Sequence, residues 1–172
     1  MRVLHITTFL QGGAGRNITD LAVAQVRAGL DVLVVADAGG EPGYSSYPEY
    51  IRELDDAGVP FAKITSTFKR DDALTRRGAS ELRDLVEGWV PDLVHAHAAT
   101  PGAVARRAGL GAGQPILHTM HGWGIRKTPE QGAADIAVLD QASAVVVPSA
   151  AAARTLARAG LRRQDVRVIP YG

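Results

Sequence analysis

The sequence of 172 residues is long enough for one domain, and its 46% hydrophobic and 22% charged residues are typical of a folded globular protein. Its 19 basic and 18 acidic residues nearly cancel to a net charge of +1, which argues against a nucleic acid-binding surface. Cysteine is absent, which excludes disulfides, thiolate metal sites and thiol nucleophiles. No apolar stretch is long enough for a membrane span or a signal peptide, so we expect a cytoplasmic protein.

Short apolar runs alternate with helical patterns along the chain. Residues 3–7 predict a buried strand, and the glycines at 12, 13 and 15 predict a turn that opens a helix at Arg16. A strand is predicted at 31–36, where the apolar residues that follow Asp31 without interruption are typical of a parallel strand covered on both faces. Further strands are predicted at 59–64, 92–96, 116–120, 144–147 and 166–169, with helices at 49–57, 74–89 and 131–140 and after Thr100 and Ser149.

Seven strands in alternation with helices predict a single α/β domain over residues 1–172. The expected architecture is an open, doubly wound parallel sheet with right-handed crossovers. A closed eight-stranded barrel is the competing architecture, but it usually needs about 250 residues.

Residues that follow strands are the candidate site, because open parallel sheets bind ligands outside the carboxyl ends of their strands. Gly12 and Gly13 follow the first strand, where glycine lets backbone N–H groups approach an anion at a helix N-terminus. A tight turn with no ligand explains the same glycines. His121 follows a later strand on a glycine-flanked, exposed loop, and Ser149 is a predicted helix N-cap whose backbone N–H could also contact a phosphate.

Histidines are frequent in the predicted strands. His95 and His97 are two residues apart and share one face of a strand, a spacing that could bind zinc, but no third ligand has a recognisable spacing. We therefore expect no metal site. His5, His95 and His118 are expected to be core histidines, whereas His97 stands at a strand end where it could face a ligand.

Six segments, taken in this order, resemble the amino-terminal domain of family-4 glycosyltransferases, which are retaining enzymes with the two-domain GT-B fold. The resemblance spans the chain and rests on these six segments, residues 12–13, 31–35, 91–97, 119–122, 144–149 and 168–172, together with residues 20–22 in the first helix. Two departures are visible: Gly15 and Arg16 stand where an acidic and a polar residue are common, and Tyr171 replaces a frequent asparagine.

The resemblance implies that this domain is the acceptor-side half of an enzyme that moves a hexosyl group from a nucleotide sugar to an acceptor. Gly12 and Gly13 would approach the donor diphosphate together with Ser149, and His121 would stabilise charge on the leaving group. The carboxy-terminal donor-binding domain of the family has no counterpart in these residues, so we expect the isolated chain to be inactive. The family needs no metal cofactor.

An acceptor with negative charge or a polar ring is expected on the loops after the second, third and fifth strands. Aromatic and basic side chains are mixed there, although ordinary solvated loops would look the same. The candidate acceptor-binding residues are His97, Trp123, Arg126 and Lys127, with Tyr44, Tyr47, Lys69 and Arg70 on neighbouring loops. Arg76, Arg77 and Arg83 could add peripheral contact with an anionic membrane.

Two other functions fit the same residues. A stand-alone dinucleotide-binding domain would use Asp37, which ends the second strand about twenty residues after the glycines, to bind a ribose. A non-catalytic interaction domain with a GT-B-like half-fold is the other alternative.

Overall fold

Seven parallel strands form one sheet in a computed structural model that describes residues 1–40, 42–65, 67–124 and 127–171. The strand order is β3-β2-β1-β4-β5-β6-β7, and it reverses between β1 and β4. The strands are β1 (Arg2–Thr7), β2 (Asp31–Asp37), β3 (Phe61–Ile64), β4 (Leu93–His97), β5 (Ile116–Thr119), β6 (Ala144–Val147) and β7 (Val166–Val168). The connecting helices are α1 (Gly12–Arg27), α2 (Pro48–Asp56), α3 (Asp72–Val86), α4 (Ala99–Arg107), α5 (Pro129–Asp140) and α6 (Ala150–Arg158).

The predicted α/β fold, a doubly wound open parallel sheet of seven strands, is confirmed. The start of α1 is a correction, because the helix begins at Gly12 and not at Arg16. The backbone N–H of Gly15 donates to the carbonyl of Gln11 at 2.9 Å, so Gly12, Gly13 and Gly15 lie inside the first helical turn.

Side chains of the central strands alternate between two helical layers. In β1, Leu4 and Ile6 pack with α3 and α4, whereas Val3 packs with α1 and α2. In the sheet register, His5 pairs with His95 and Thr7 pairs with His97, so these four side chains share the α1 face. The register therefore stacks histidines from two neighbouring strands on one buried face.

Two glycines allow close packing. A Cβ on Gly15 would lie 2.5 Å from the carbonyl carbon of Leu10, and a Cβ on Gly102 in α4 would lie 2.0 Å from Cε1 of His118. The first contact seats α1 against the loop after β1, and the second lets α4 lie directly on the His118 ring.

The three arginines of α3 form ion pairs or hydrogen bonds with nearby residues. Arg76 pairs with Asp72 at 2.7 Å, and Arg77 pairs with Glu81 at 3.0 Å, both four residues apart along the helix. Arg83 donates to the carbonyl of Ala108 at 3.3 Å. Among the described residues, no helix combines the length and the apolar character that a membrane crossing requires.

Gly102→Ala should destabilise the fold by about 1–3 kcal/mol, because the added methyl overlaps the fully buried His118 ring, which must shift to admit it. Urea unfolding measures the change. Gly132→Ala in α5 is the matched control: its Cβ would lie an ordinary 3.6 Å from Trp123, so better helix propensity should leave stability equal or higher. Equal stability of the two variants would contradict the close packing of α4 on His118.

Candidate functional site

A cleft of about 440 Å³ opens beyond the carboxyl ends of β1 and β4, where the strand order reverses. Its walls come from the segments that follow β1, β2, β3, β4 and β5. The lining residues are Thr7, Thr8, Phe9, Gln11, Gly12, Ala14, Tyr44, Tyr47, Phe68, His97, Ala98, His121 and Gly122. Within the part of the chain that the structure describes, none of these lining side chains is an acid, a lysine or an arginine.

The N-terminus of α1 faces this cleft through Gln11, Gly12 and Ala14. Gln11 is the N-cap and makes no side-chain hydrogen bond to the first turn, which also contains no acidic residue. Gly12 has φ of +56°, a conformation that favours glycine, and a Cβ on Gly12 or Gly13 would meet nothing within 4 Å. The positive end of the helix dipole and its amide groups are thus open to a ligand.

Three aromatic rings form one wall of the cleft. The ring centroid of Phe68 lies 5.3 Å from that of Phe9 and 5.5 Å from that of Tyr44. Phe9 is buried, whereas Tyr44 is 52% and Phe68 is 37% exposed. This aromatic wall offers an apolar stacking face. Phe9 and Phe68 were missed in the sequence, although each lies within four residues of the carboxyl end of a strand, which is the signal that would have found them.

Two histidines line the cleft and are joined by a hydrogen bond. Nδ1 of His97 lies 3.1 Å from Nε2 of His121, and Nε2 of His97 lies 2.9 Å from Nδ1 of His5 behind it. Burial lowers the pKa of His121 and of His5 to about 4, and burial with neighbouring histidines holds the pKa of His97 well below its ordinary value. All three rings are therefore neutral at pH 7. His121 is half-buried, not freely exposed as predicted.

Ala98 carries backbone strain beside these histidines. Its φ is +109°, in a region that residues other than glycine rarely adopt, and its N–H donates to the carbonyl of Thr119 at 3.1 Å. Such strain persists where surrounding contacts enforce it and is frequent at functional sites. The hydrogen bond from Ala98 to Thr119 links the end of β4 to the end of β5 at the floor of the cleft.

The buried histidines are also the one cluster in the described ranges with metal-ligand geometry. His5, His95 and His97 each offer a nitrogen, and these nitrogens lie within 4.8 Å of one another. His5 is the third partner that sequence spacing did not reveal. The ring nitrogens already make hydrogen bonds, including Nε2 of His95 with Oγ1 of Thr119 at 2.7 Å. The expected absence of a metal stays a prediction.

Comparison with known proteins identifies the family. The profile of the glycosyl transferase 4-like domain matches residues 12–172. The chain belongs to this glycosyl transferase 4-like family. No curated protein matches the glycosyltransferase domain in sequence.

Solved structures share the fold of this glycosyltransferase domain at low identity. A glycosyltransferase from Rickettsia africae superimposes with a TM-score of 0.77 at 17% identity over 99% of this chain and 43% of its own. Anabaena HepE, solved with UDP and glucose, superimposes with a TM-score of 0.74 at 18% identity, over 100% of this chain and 45% of its own. Sucrose-phosphate synthase from Thermosynechococcus elongatus superimposes with a TM-score of 0.76 at 15% identity, over 100% of this chain and 48% of its own. The domain matches one half of the GT-B fold and spans less than half of each of these proteins.

Asp37 of the glycosyltransferase domain anchors two loops. Its Oδ1 accepts from the backbone N–H of Gly39 at 2.7 Å, and its Oδ2 accepts from those of Thr67 and Phe68 at 2.8 and 3.1 Å. A dinucleotide-binding domain would use this carboxylate to bind ribose. Here the carboxylate is buried, and both of its oxygens accept hydrogen bonds from the backbone.

Trp123 and Lys127 lie outside the cleft. Nζ of Lys127 is 2.6 Å from the buried carboxylate of Asp135 and 3.7 Å from the centroid of the Trp123 ring, and Arg70 binds Asp135 from the other side at 2.7 Å. Trp123 lines a separate pocket of about 270 Å³. Arg126 lies outside the described residues. An acceptor-binding role for these side chains stays a prediction.

Ser149 is the N-cap of α6, as predicted. Its hydroxyl accepts from the backbone N–H of Ala152 at 3.1 Å. It does not line the cleft, so the structure brings together Gly12, His97 and His121 of the predicted site, with Gly13 adjacent. Donor binding by Ser149 stays a prediction.

Acid should unfold the domain before its carboxylates titrate. Unfolded histidine has a pKa near 6.5, but burial holds the folded pKa of His5, His118 and His121 at about 4, so the unfolded state binds more protons between these values. Stability is complete above about pH 6.5 and falls toward pH 4, by about 1.4 kcal/mol per pH unit for each such histidine.

Urea unfolding between pH 7.5 and 5 measures this slope. In His118→Leu the slope of stability against pH should be shallower by the contribution of one histidine, about 1.4 kcal/mol per pH unit, since that ring is removed while the others remain. A stability that stays constant from pH 7.5 to 5 would show that the folded rings bind protons with the same pKa as in the unfolded state, and would contradict the lowered pKa values.

Proposed function

We propose that the domain is the acceptor-side half of a retaining glycosyltransferase that moves a hexosyl group from a nucleotide sugar to an acceptor. One observation carries the proposal: the same cleft combines an open helix N-terminus, an aromatic wall and His121. The second, nucleotide-gripping domain would close over this cleft. Because half of the site would then be missing from residues 1–172, the chain alone is inactive in this proposal.

The donor diphosphate would lie against the first turn of α1. Backbone N–H groups at Gly12 and Gly13 have open space in front of them, and the helix dipole favours negative charge there. No carboxylate lines the cleft in the described segments, which supports a reaction that uses no metal cofactor.

The acceptor would be a polar ring stacked on the aromatic wall of Phe9, Tyr44 and Phe68. Aromatic faces bind the apolar side of such a ring, and the described lining side chains include no lysine or arginine that would bind an anionic group. Of the two expected acceptor classes, the lining therefore favours the polar ring. In this proposal the enzyme works in the cytoplasm, and contact with an anionic membrane through the exposed arginines of α3 stays a prediction.

His121 would contact the transferred sugar as a neutral hydrogen-bonding group. Burial lowers the pKa of the ring to about 4, so it carries no charge at pH 7. Its value to the reaction is a fixed orientation, held by His97 and by the hydroxyl of Tyr171.

His121→Ala in the two-domain enzyme should lower kcat by about tenfold, because one neutral hydrogen bond to the sugar contributes about 0.5–1.5 kcal/mol. Steady-state transfer assays and thermal melting measure both effects. His118→Leu is the matched control, because that histidine is buried on the opposite face of the sheet and should change melting without lowering transfer. A His121→Ala enzyme that loses stability but keeps its rate would contradict the proposal.

A further inference from the structure

Five side chains form a continuous hydrogen-bonded chain through the domain. Oε1 of Gln25 in α1 lies 2.7 Å from Nε2 of His5, whose Nδ1 lies 2.9 Å from Nε2 of His97. Nδ1 of His97 lies 3.1 Å from Nε2 of His121, and the hydroxyl of Tyr171 bonds Nδ1 of His121. The hydrogen-bonded chain thus runs from Gln25, in the last turn of α1 and away from the cleft, to the His121 ring that lines the cleft.

The proton positions in this chain follow from its first member. With the side-chain oxygen of Gln25 turned toward His5, as the structure places it, Gln25 only accepts, so Nε2 of His5 carries a proton and donates it. A neutral imidazole has one N–H, so Nδ1 of His5 accepts from Nε2–H of His97. By the same rule, Nδ1 of His97 accepts from Nε2–H of His121.

The last link gives the state of the ring that lines the cleft. Since Nε2 of His121 donates to His97, its Nδ1 has a lone pair that accepts from the hydroxyl of Tyr171. Burial raises the pKa of Tyr171, which keeps this hydroxyl protonated. A ligand group that replaces Tyr171 at this nitrogen must therefore be a hydrogen-bond donor.

We propose that Gln25 is a positioning residue whose side-chain oxygen sets the tautomers of His5, His97 and His121, and so presents His121 to the cleft as a hydrogen-bond acceptor. The consequence for the reaction rests on the proposed function, because it takes His121 to contact the sugar. The assignment of the tautomers does not rest on the proposed function. Gln25 does not line the cleft, so sequence reasoning about ligand contacts would pass over it.

Metal binding is the competing use of the same rings. A metal ion held between the facing nitrogens, Nδ1 of His5 and Nε2 of His97, would need a lone pair on both. In the hydrogen-bonded chain, Nε2 of His97 is protonated and has none. The two arrangements therefore predict different nitrogen protonation.

Long-range ¹H–¹⁵N spectra of the ¹⁵N-labelled chain at pH 7.5 distinguish protonated from bare imidazole nitrogens. We expect His5, His97 and His121 all to carry the proton on Nε2. Gln25→Leu removes the acceptor, so the His121 Nδ1 signal should shift from the bare toward the protonated position. Gln25→Glu restores an acceptor and should keep the original pattern.

Gln141→Leu is the matched control, because Gln141 bonds the carbonyl of Ala137 far from the histidines and its loss should leave their spectra unchanged. Amide spectra and melting show that each variant is folded. Protons on Nδ1 in the unsubstituted chain, or unchanged histidine signals in folded Gln25→Leu, would overturn the proposal. Stoichiometric binding of added Zn²⁺ that shifts the His5 and His97 nitrogens would overturn it in favour of a metal site.

The spectra need no donor, acceptor or second domain. If the two-domain enzyme transfers no sugar while the tautomers are as expected, the proposed function fails and the role of Gln25 in setting the tautomers stands.

Discussion

The hydrogen bond between His5 and His97 joins the two strands at which the order of the sheet reverses. Both faces of the sheet are covered by helices, so each buried polar side chain in β1 and β4 needs a protein partner. The register brings histidines of both strands onto the α1 face, where they bond one another, Gln25 and Thr119. This buried network ends at the cleft, and it is what holds His97 and His121 there.

Most of the fold could be predicted from the sequence because its signals are local. Apolar runs and helical periodicity lie within single segments, and the α/β alternation with its seven strands follows from them. The rule that ligands bind at the carboxyl ends of parallel strands singled out Gly12, His97 and His121, and the structure places all three around one cleft. The start of α1 was wrong because glycine is a poor helix former, yet Gly15 is needed for the close approach of Leu10.

The missed features depend on contacts between distant residues. His5 is 92 residues from His97, so no spacing rule relates them. Lys127 fitted a basic acceptor-binding loop, but only the fold reveals the buried Asp135 that binds it. Asp37 likewise had the sequence position of a ribose ligand, whereas its oxygens accept from three backbone N–H groups. The strain at Ala98 has no sequence signal, since alanine rarely adopts that conformation.

The account centres on the cleft as the sugar site, and amide chemical-shift mapping of the ¹⁵N-labelled chain tests this most directly. Titration with a neutral methyl glycoside and, separately, with UDP-glucose should shift the amides of Gly12, Gly13, Ala98 and Gly122, which surround the cleft. The neutral glycoside should act on the side of the aromatic wall and UDP-glucose on the first turn of α1. Shifts confined to the Trp123–Lys127 segment, or saturation by NAD at the amides around Asp37, would contradict it.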